Sequence, residues 1–296
     1  MAKNILHMIT PLAHMSPFDV NMALDAGYDA TASYTNVSLG EITDLIQDAM
    51  FSRSPRDAVR TGVFIGGKDA LLALNMLDAA GKTLFKPFEI SLFADPAGSF
   101  TTAAAMIAVV EKALKEKKDR ALRGAAVSVF GATGVVGTAS GVIAALEGAS
   151  VTFVGRDGTD RAARHASEVN RRFGVNIVIA DGSTPEARAA VLRSMEVVLC
   201  TAKAGVRVLD SGEIASAAKL LIAADVNAVP PSGIEGVDAH ANGTPLGDRG
   251  ALAIGALAIG NVKYRTESGL FKQMTESKTP LRLDFRQAFD LARTLA

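Results

Sequence analysis

The chain has no tryptophan and one cysteine, and aromatic residues make up only 5% of its 296 positions. One Cys excludes an internal disulfide framework, and no Cys/His cluster has zinc spacing, so no metal site is expected. Charge of neither sign is in excess: 31 Lys and Arg balance 31 Asp and Glu. That balance lacks the electrostatic footprint of a nucleic-acid-binding protein, and no nucleic-acid partner is expected. Long hydrophobic runs are also missing. The stretch from Ala251 to Val262 is broken by Gly255 and Gly260 and falls short of the roughly 20 residues a membrane span needs. The N-terminus has one Lys and no apolar core, so it does not read as a signal peptide. No membrane partner is expected, and the expected location is cytoplasmic.

What is present is a high apolar content, 49%, which excludes a disordered chain. With so few aromatics, Ala, Val, Leu and Ile must build the core, a composition common in α/β proteins. Short β-branched runs alternate with helical periodicity. Ile5–Ile9, Ala30–Tyr34, Gly62–Ile65 and Phe88–Phe93 read as strands. Asp19–Ala26, Leu39–Phe51 and Asp69–Ala80 read as helices between them. A long helix is predicted from about Thr101 to Lys117. A second series then begins: strands at Ala125–Phe130, Ser150–Val154, Asn176–Ala180, Val197–Cys200 and Leu220–Ala223. Helices are predicted at Val135–Glu147, Thr159–Phe173 and Thr184–Ser194. A last helix is expected at Asp284–Leu295, with Phe285, Ala288, Phe289 and Ala292 on one face. The βαβα rhythm predicts an α/β fold with two mostly parallel sheets. The expected division is an N-terminal α/β domain over 1–115 and a Rossmann-like domain over 116–269. A C-terminal helical segment, 270–296, is expected to return to the first.

The most informative motif is Gly131-Ala132-Thr133-Gly134-Val135-Val136-Gly137, which leaves a predicted strand and opens a predicted helix. In that context each glycine has a physical reason. Gly131 allows a tight turn, Gly134 lets the backbone approach a pyrophosphate, and Gly137 lets the helix sit close to the sheet. The helix N-terminus offers N–H groups and a positive dipole end to phosphates. The alternative is an ordinary glycine-rich turn. The following strand ends in Gly155-Arg156-Asp157. Arg156 suits a 2′-phosphate, whereas Asp157 repels one or bonds a bare ribose. NADP is therefore favoured, with NAD as a second cofactor; the alternative is a plain surface charge. Two more strand ends, at Thr201-Ala202 and at Asn227, should border the nicotinamide, because ligands of open α/β sheets lie beyond the strands' carboxyl ends. Cys200 reads as a small buried apolar residue.

The chain resembles the NAD(P)-dependent methylenetetrahydromethanopterin dehydrogenases of methylotrophic bacteria. The resemblance rests on Pro17–Val20, Phe64–Gly67, Asp95–Thr102, Gly131–Gly137, Asp225–Pro231 and Gly255–Tyr264, and so spans nearly the whole chain. It implies oxidation of methylene-tetrahydromethanopterin to the methenyl form, with hydride passing to the nicotinamide, in formaldehyde oxidation. It also implies a substrate domain and a dinucleotide domain with the active site in the cleft between them. A homo-oligomer, trimer or hexamer, follows by the same resemblance, and the apolar run at 251–259 is expected to suit a subunit interface.

The chemistry itself needs alignment more than acid–base help. By analogy with folate-linked dehydrogenases, Lys263 is the first candidate for a catalytic polar group; the alternative is a surface lysine. Tyr264 stacks or simply packs. Asp19 can accept two parallel bonds from a pterin or cap a helix. Thr101 and Thr102 can bond substrate or cap the long helix. Competing functions are methylene-tetrahydrofolate oxidation, another two-domain NADP-dependent reductase, and an NADP-binding sensor without turnover.

Overall fold

The computed structural model describes residues 2–296. In chain order the elements are β1 (Ile5–Ile9), α1 (Pro17–Asp25), β2 (Ala30–Tyr34), α2 (Ile42–Phe51), α3 (Pro55–Ala58), β3 (Thr61–Ile65), α4 (Ala70–Thr83), β4 (Ser91–Ala94) and α5 (Ser99–Lys118). They continue as β5 (Ala126–Phe130), α6 (Val135–Leu146), β6 (Ser150–Gly155), α7 (Asp160–Phe173), β7 (Val178–Asp181), α8 (Pro185–Leu192), β8 (Val197–Cys200), α9 (Ser211–Ser216) and β9 (Ile222–Asp225). The chain closes with β10 (Asn242–Leu246), β11 (Ala251–Ile254), α10 (Ala256–Glu276), β12 (Arg282–Leu283) and α11 (Phe285–Leu295).

Two compact units result. The first holds the chain up to Thr101 together with Tyr264–Leu291; the second holds Thr102–Lys263 and Ala292–Ala296. The division falls inside three helices, α5, α10 and α11, rather than in loops.

In the first unit five strands run in the order β12-β4-β3-β1-β2, every pair parallel. β3 is buried along its whole length, as expected of a strand covered on both faces. The core is aromatic despite the low aromatic content. Phe64, Phe93 and Phe271 meet with ring centroids 5.2–5.4 Å apart, and Phe100 meets Phe285 at 5.4 Å. Local chemistry sets the helix starts. Ser16 caps α1 ahead of Pro17, and Asp69 accepts from the Leu72 N–H at 2.8 Å to cap α4.

The second unit has seven strands in the order β10-β11-β9-β8-β5-β6-β7. All pairs are parallel except β10 with β11. The first five strands of this unit fall in the Rossmann order, reversing between β5 and β8. Gly141 on α6 makes the helix–sheet contact close. A Cβ there would lie 2.2 Å from the Phe153 ring on β6.

Some expectations need correction. The run 251–259 is not an exposed apolar face. It is the core strand β11 followed by the first turn of α10, with Ala251, Ala253, Ile254 and Ile259 all buried. Residues 270–296 are not one helix but the end of α10, β12 and α11. The helix expected from Leu39 starts as a 3-10 turn, Leu39–Glu41, because Glu41 folds back on Ser38 in a capping box. One helical stretch, Pro96–Lys118, has the length and hydropathy to cross a membrane, but 78% of its apolar window is buried inside the protein. It is a core helix of this fold.

Candidate functional site

The loops that follow β5, β6, β8 and β9 share one edge of the second sheet, since Phe130 pairs with Val154 and Cys200, and Cys200 with Asp225. The turn after β5 is shaped by what cannot fit in it. Gly131 has φ +80, and a Cβ there would meet Thr201 and Ala202 backbone atoms at 2.7 Å. A Cβ on Gly137 would lie 2.5 Å from the Gly131 carbonyl and 2.7 Å from the Thr201 hydroxyl. Gly134 is the exposed N-cap of α6, with extended backbone and room for only a tight Cβ, 3.3 Å from the Gly131 carbonyl. Thr133, Val135 and Val136 are half-buried around it. No side chain caps α6, unlike α4, α8 and α9, which Asp69, Thr184 and Asp210 cap. The first-turn amides of α6 are therefore left to a ligand or water. This cradle fits a dinucleotide pyrophosphate: a backbone surface without Cβ atoms, at a helix N-terminus, at the sheet's switch point.

At the end of β6, Gly155 folds tightly onto the Gly158 carbonyl. Arg156 and Asp157 project into solvent, 87% and 81% exposed, and pair with each other at 3.5 Å. Thr201 follows β8, and its hydroxyl donates to the Phe130 carbonyl at 2.8 Å, tying the ends of β5 and β8 together. Ala202 is half-buried beside Gly131.

The loop after β9 is held by two buried polar side chains. Asp225 accepts from the Asn227 and Ile234 N–H groups, both at 2.9 Å. Burial pushes its carboxyl above the usual range, while those amide bonds pull the other way. Asn227 accepts from Gly205 N–H (3.2 Å) and Val229 N–H (2.9 Å) and donates to the Pro231 carbonyl at 2.9 Å. It thus links the loops after β8 and β9. Sequence reasoning singled out Asn227 and missed Asp225; an acidic residue closing a buried strand was the available signal. Cys200 is 1% exposed, and burial pushes its thiol up to about 12, so it is no nucleophile.

Asp19 and Thr101, in the first unit, follow the carboxyl ends of β1 and β4, whereas Thr102 and Lys263 are end residues of the second unit's long segment. Ser16, not Asp19, is the N-cap of α1, and Asp19 is buried at the third helical position, 2% exposed. Asp95 directly follows β4 and is fully buried. It accepts from the Phe100 N–H at 2.7 Å and from the Thr101 hydroxyl at 2.6 Å. Thr101, itself fully buried, is not the cap: its hydroxyl donates to Asp95 and to the Gly98 carbonyl, and Asp95 accepts the first-turn amides of α5, whereas Thr102 is half-buried. Ala97 sits in the left-handed region at φ 55, a conformation a non-glycine residue seldom adopts. Lys263 is half-buried and lies on α10. Next to it, Tyr264 meets Phe18 edge-on at 6.5 Å, and both rings are about half exposed. The sequence reading left Phe18 out; its place beside Asp19 was the signal.

Among the described residues, no group of three or more His, Cys, Asp and Glu side chains could hold a metal ion. A groove of about 830 Å³ in the second unit, lined by charged residues such as Glu111, Lys112, Arg120 and Arg293, includes no residue of the β5–α6 turn.

The strand order and the glycine cradle define a dinucleotide-binding α/β protein of the Rossmann type. Shikimate 5-dehydrogenase of Listeria monocytogenes, solved with shikimate and NAD, superposes with a TM-score of 0.50 at 14% identity, covering 99% of this chain and 96% of that one. Ornithine carbamoyltransferase of Pyrococcus furiosus also scores 0.50, at 11% identity, over 93% and 86%. Such likeness shows the fold alone, shared by different chemistries. Sequence narrows it. Residues 17–97 match the family described as methylene-tetrahydromethanopterin dehydrogenase, N-terminal. The chain is 51% identical, over all of both chains, to the NAD(P)-dependent methylenetetrahydromethanopterin dehydrogenase of Methylorubrum extorquens. It is 32% identical, again over both full lengths, to that organism's bifunctional protein MdtA. The chain belongs to the methylenetetrahydromethanopterin dehydrogenase family.

Proposed function

We propose that this chain oxidises methylene-tetrahydromethanopterin to methenyl-tetrahydromethanopterin, with NADP or NAD as hydride acceptor, in one-carbon metabolism. The observation that carries this reading is the 51% identity, end to end, with a protein of that name. The glycine cradle supports it from the structural side.

The reacting methylene carbon lies between two nitrogens, whose lone pairs stabilise the cation left when hydride departs. The chain therefore has to bind, orient and exclude water more than move protons. Bound dinucleotide would supply the hydride-accepting carbon. The backbone of Gly131, Thr133, Gly134, Val135, Val136 and Gly137 would hold its phosphates, and Arg156 its 2′-phosphate. Thr201, Ala202 and Asn227 form the floor of the same edge. Asp19 and Thr102 are assigned to the pterin, with Thr101 supporting the start of α5 through Asp95. Phe18 and Tyr264 offer apolar ring surface of the kind a pterin covers. Lys263 is assigned to positioning and tuning the reacting ring. An ammonium close to a developing cation slows the reaction unless it is neutral or balanced by a carboxylate. A homo-oligomer in the cytoplasm belongs to the same reading.

The test is absorbance at the reduced-nicotinamide band with purified protein. Four mixtures pair NADP or NAD with methylene-tetrahydromethanopterin or methylene-tetrahydrofolate. Turnover with the methanopterin is expected. Dinucleotide binding without turnover in any mixture overturns the reading.

A further inference from the structure

We propose that Thr138 and His165 are positioning residues for the dinucleotide cradle: a directed chain of hydrogen bonds from α7 orients the peptides of the β5–α6 turn. The proposal rests on the reading of that turn as the dinucleotide site.

Thr138 lies on α6, 2% exposed. Its hydroxyl oxygen has three close polar neighbours: the Gly134 carbonyl at 2.8 Å, the Ala132 carbonyl at 3.1 Å and His165 Nε2 at 2.7 Å. A hydroxyl has one hydrogen. The two carbonyls can only accept, so that hydrogen belongs to them; otherwise three acceptor atoms would face each other without a proton. His165 Nε2 must then carry a hydrogen and donate to Thr138. The direction is fixed as His165 Nε2–H to Thr138 hydroxyl to turn carbonyl, and each bond in such a chain polarises the next. The imidazole is itself held. It is half-buried on α7 and stacks on Phe153, with centroids 6.2 Å apart and planes at 25°.

The consequence for the turn follows from peptide planarity. Gly134–Val135 and Ala132–Thr133 are trans peptides, so each N–H points opposite to its carbonyl. Fixing the carbonyls of 132 and 134 on Thr138 fixes the N–H groups of Thr133 and Val135 to the other side. Those are two of the amides assigned to the phosphates. Preorganised amides bind an anion without the cost of ordering them. The pair makes no contact that distinguishes NADP from NAD, so its effect is common to both, unlike that of Arg156.

The experiment measures dissociation constants of NADP and NAD by titration calorimetry on the full-length protein, without substrate. Thr138→Val and His165→Ala are each expected to weaken both dinucleotides by the same factor, about three- to tenfold, the range for one lost hydrogen bond. His165→Gln, which retains a donor at a similar reach, and Thr138→Ser, which retains the hydroxyl, are expected to restore most of the affinity. In turnover the loss appears in the dinucleotide KM rather than in kcat. Gly134→Ala tests the site itself, because its backbone angles suit alanine and its Cβ would occupy the pyrophosphate approach. If Gly134→Ala leaves both affinities unchanged, the site reading fails and this inference with it. If Gly134→Ala weakens binding while Thr138→Val and His165→Ala do not, the inference alone is overturned. Failure of both conservative variants to restore affinity also overturns it.

Discussion

Replacing Arg156 by Ala is expected to separate the two dinucleotides. In the structure the guanidinium pairs with Asp157 at 3.5 Å, and both side chains are more than 80% exposed. An ion pair so well solvated contributes at most about 1 kcal/mol. A charge-assisted bond from Arg156 to a 2′-phosphate contributes about 1.5–3 kcal/mol. Recruiting Arg156 means leaving Asp157, so the net preference is about 0.5–2 kcal/mol, or about 2- to 30-fold in affinity. Arg156→Ala should raise the NADP KM by about that factor and leave the NAD KM within about twofold. Asp157→Asn should act in the opposite sense, lowering the NADP KM by removing a carboxylate near the phosphate. Both effects should shrink as ionic strength rises, since the Debye length is already about 10 Å at 0.1 M. The assay is steady-state formation of reduced nicotinamide with each dinucleotide varied, at low and at high salt. Equal factors for NADP and NAD in Arg156→Ala, or factors indifferent to salt, would refute the reasoning.

Three further outcomes are expected. Lys263→Ala should lower turnover while dinucleotide affinity stays nearly intact; unchanged turnover removes Lys263 from the reacting region. Gly141→Leu should destabilise the second unit by about 1–3 kcal/mol or more, because its first added atom already meets the Phe153 ring; an unaltered melting temperature would contradict that packing. Glu196 accepts a forked pair from Arg120 at 2.8 and 3.0 Å, and that bond holds its carboxyl below the usual range. Its folded-state pKa lies under its unfolded one, so its contribution is complete above the ordinary glutamate range and fades as pH falls through that range and below it. Urea titrations from neutral to acidic pH should show a shallower decline in Glu196→Gln, and parallel curves would count against it.

Continuous apolar strands are legible because burial on both faces leaves only β-branched and aliphatic residues in them. β8 matches its predicted span, and β5 is one residue shorter at its start; β2 also matches, although it is a half-buried edge strand carrying Thr31 and Ser33. Helix α10 is harder to see. Its buried positions Ile259, Val262, Thr266, Leu270 and Met274 do recur at helical spacing. Gly260 and Gly269 lower its propensity, and the strand period of β11 runs into it at Gly255 without a polar break. Gly269 has a tertiary reason, since a Cβ there would meet Leu291 at 2.8 Å. β9 is displaced from its predicted span because Asp225 reads as a strand terminator. In the fold its carboxylate accepts backbone N–H bonds and stays inside. The glycine cradle could be read from sequence because backbone sterics alone dictate it. The links from Asn227 to Gly205, from Thr201 to Phe130 and from Thr138 to His165 join residues 22, 71 and 27 positions apart. No local pattern encodes such contacts.

The sequestered thiol of Cys200 gives the molecule an internal clock. Its sulfur lies under Gly233, where a Cβ would come within 2.5 Å of it, and its proton is held far above neutral pH. An alkylating reagent can therefore reach it only when the packing over it, Gly233 included, opens. With one thiol in the chain, each labelling event marks one opening of the second unit. A ligand that binds only the closed form lowers the open population by the factor 1 + [L]/Kd. The rate of thiol capture against dinucleotide concentration would then give the affinity of the cradle without substrate or chromophore.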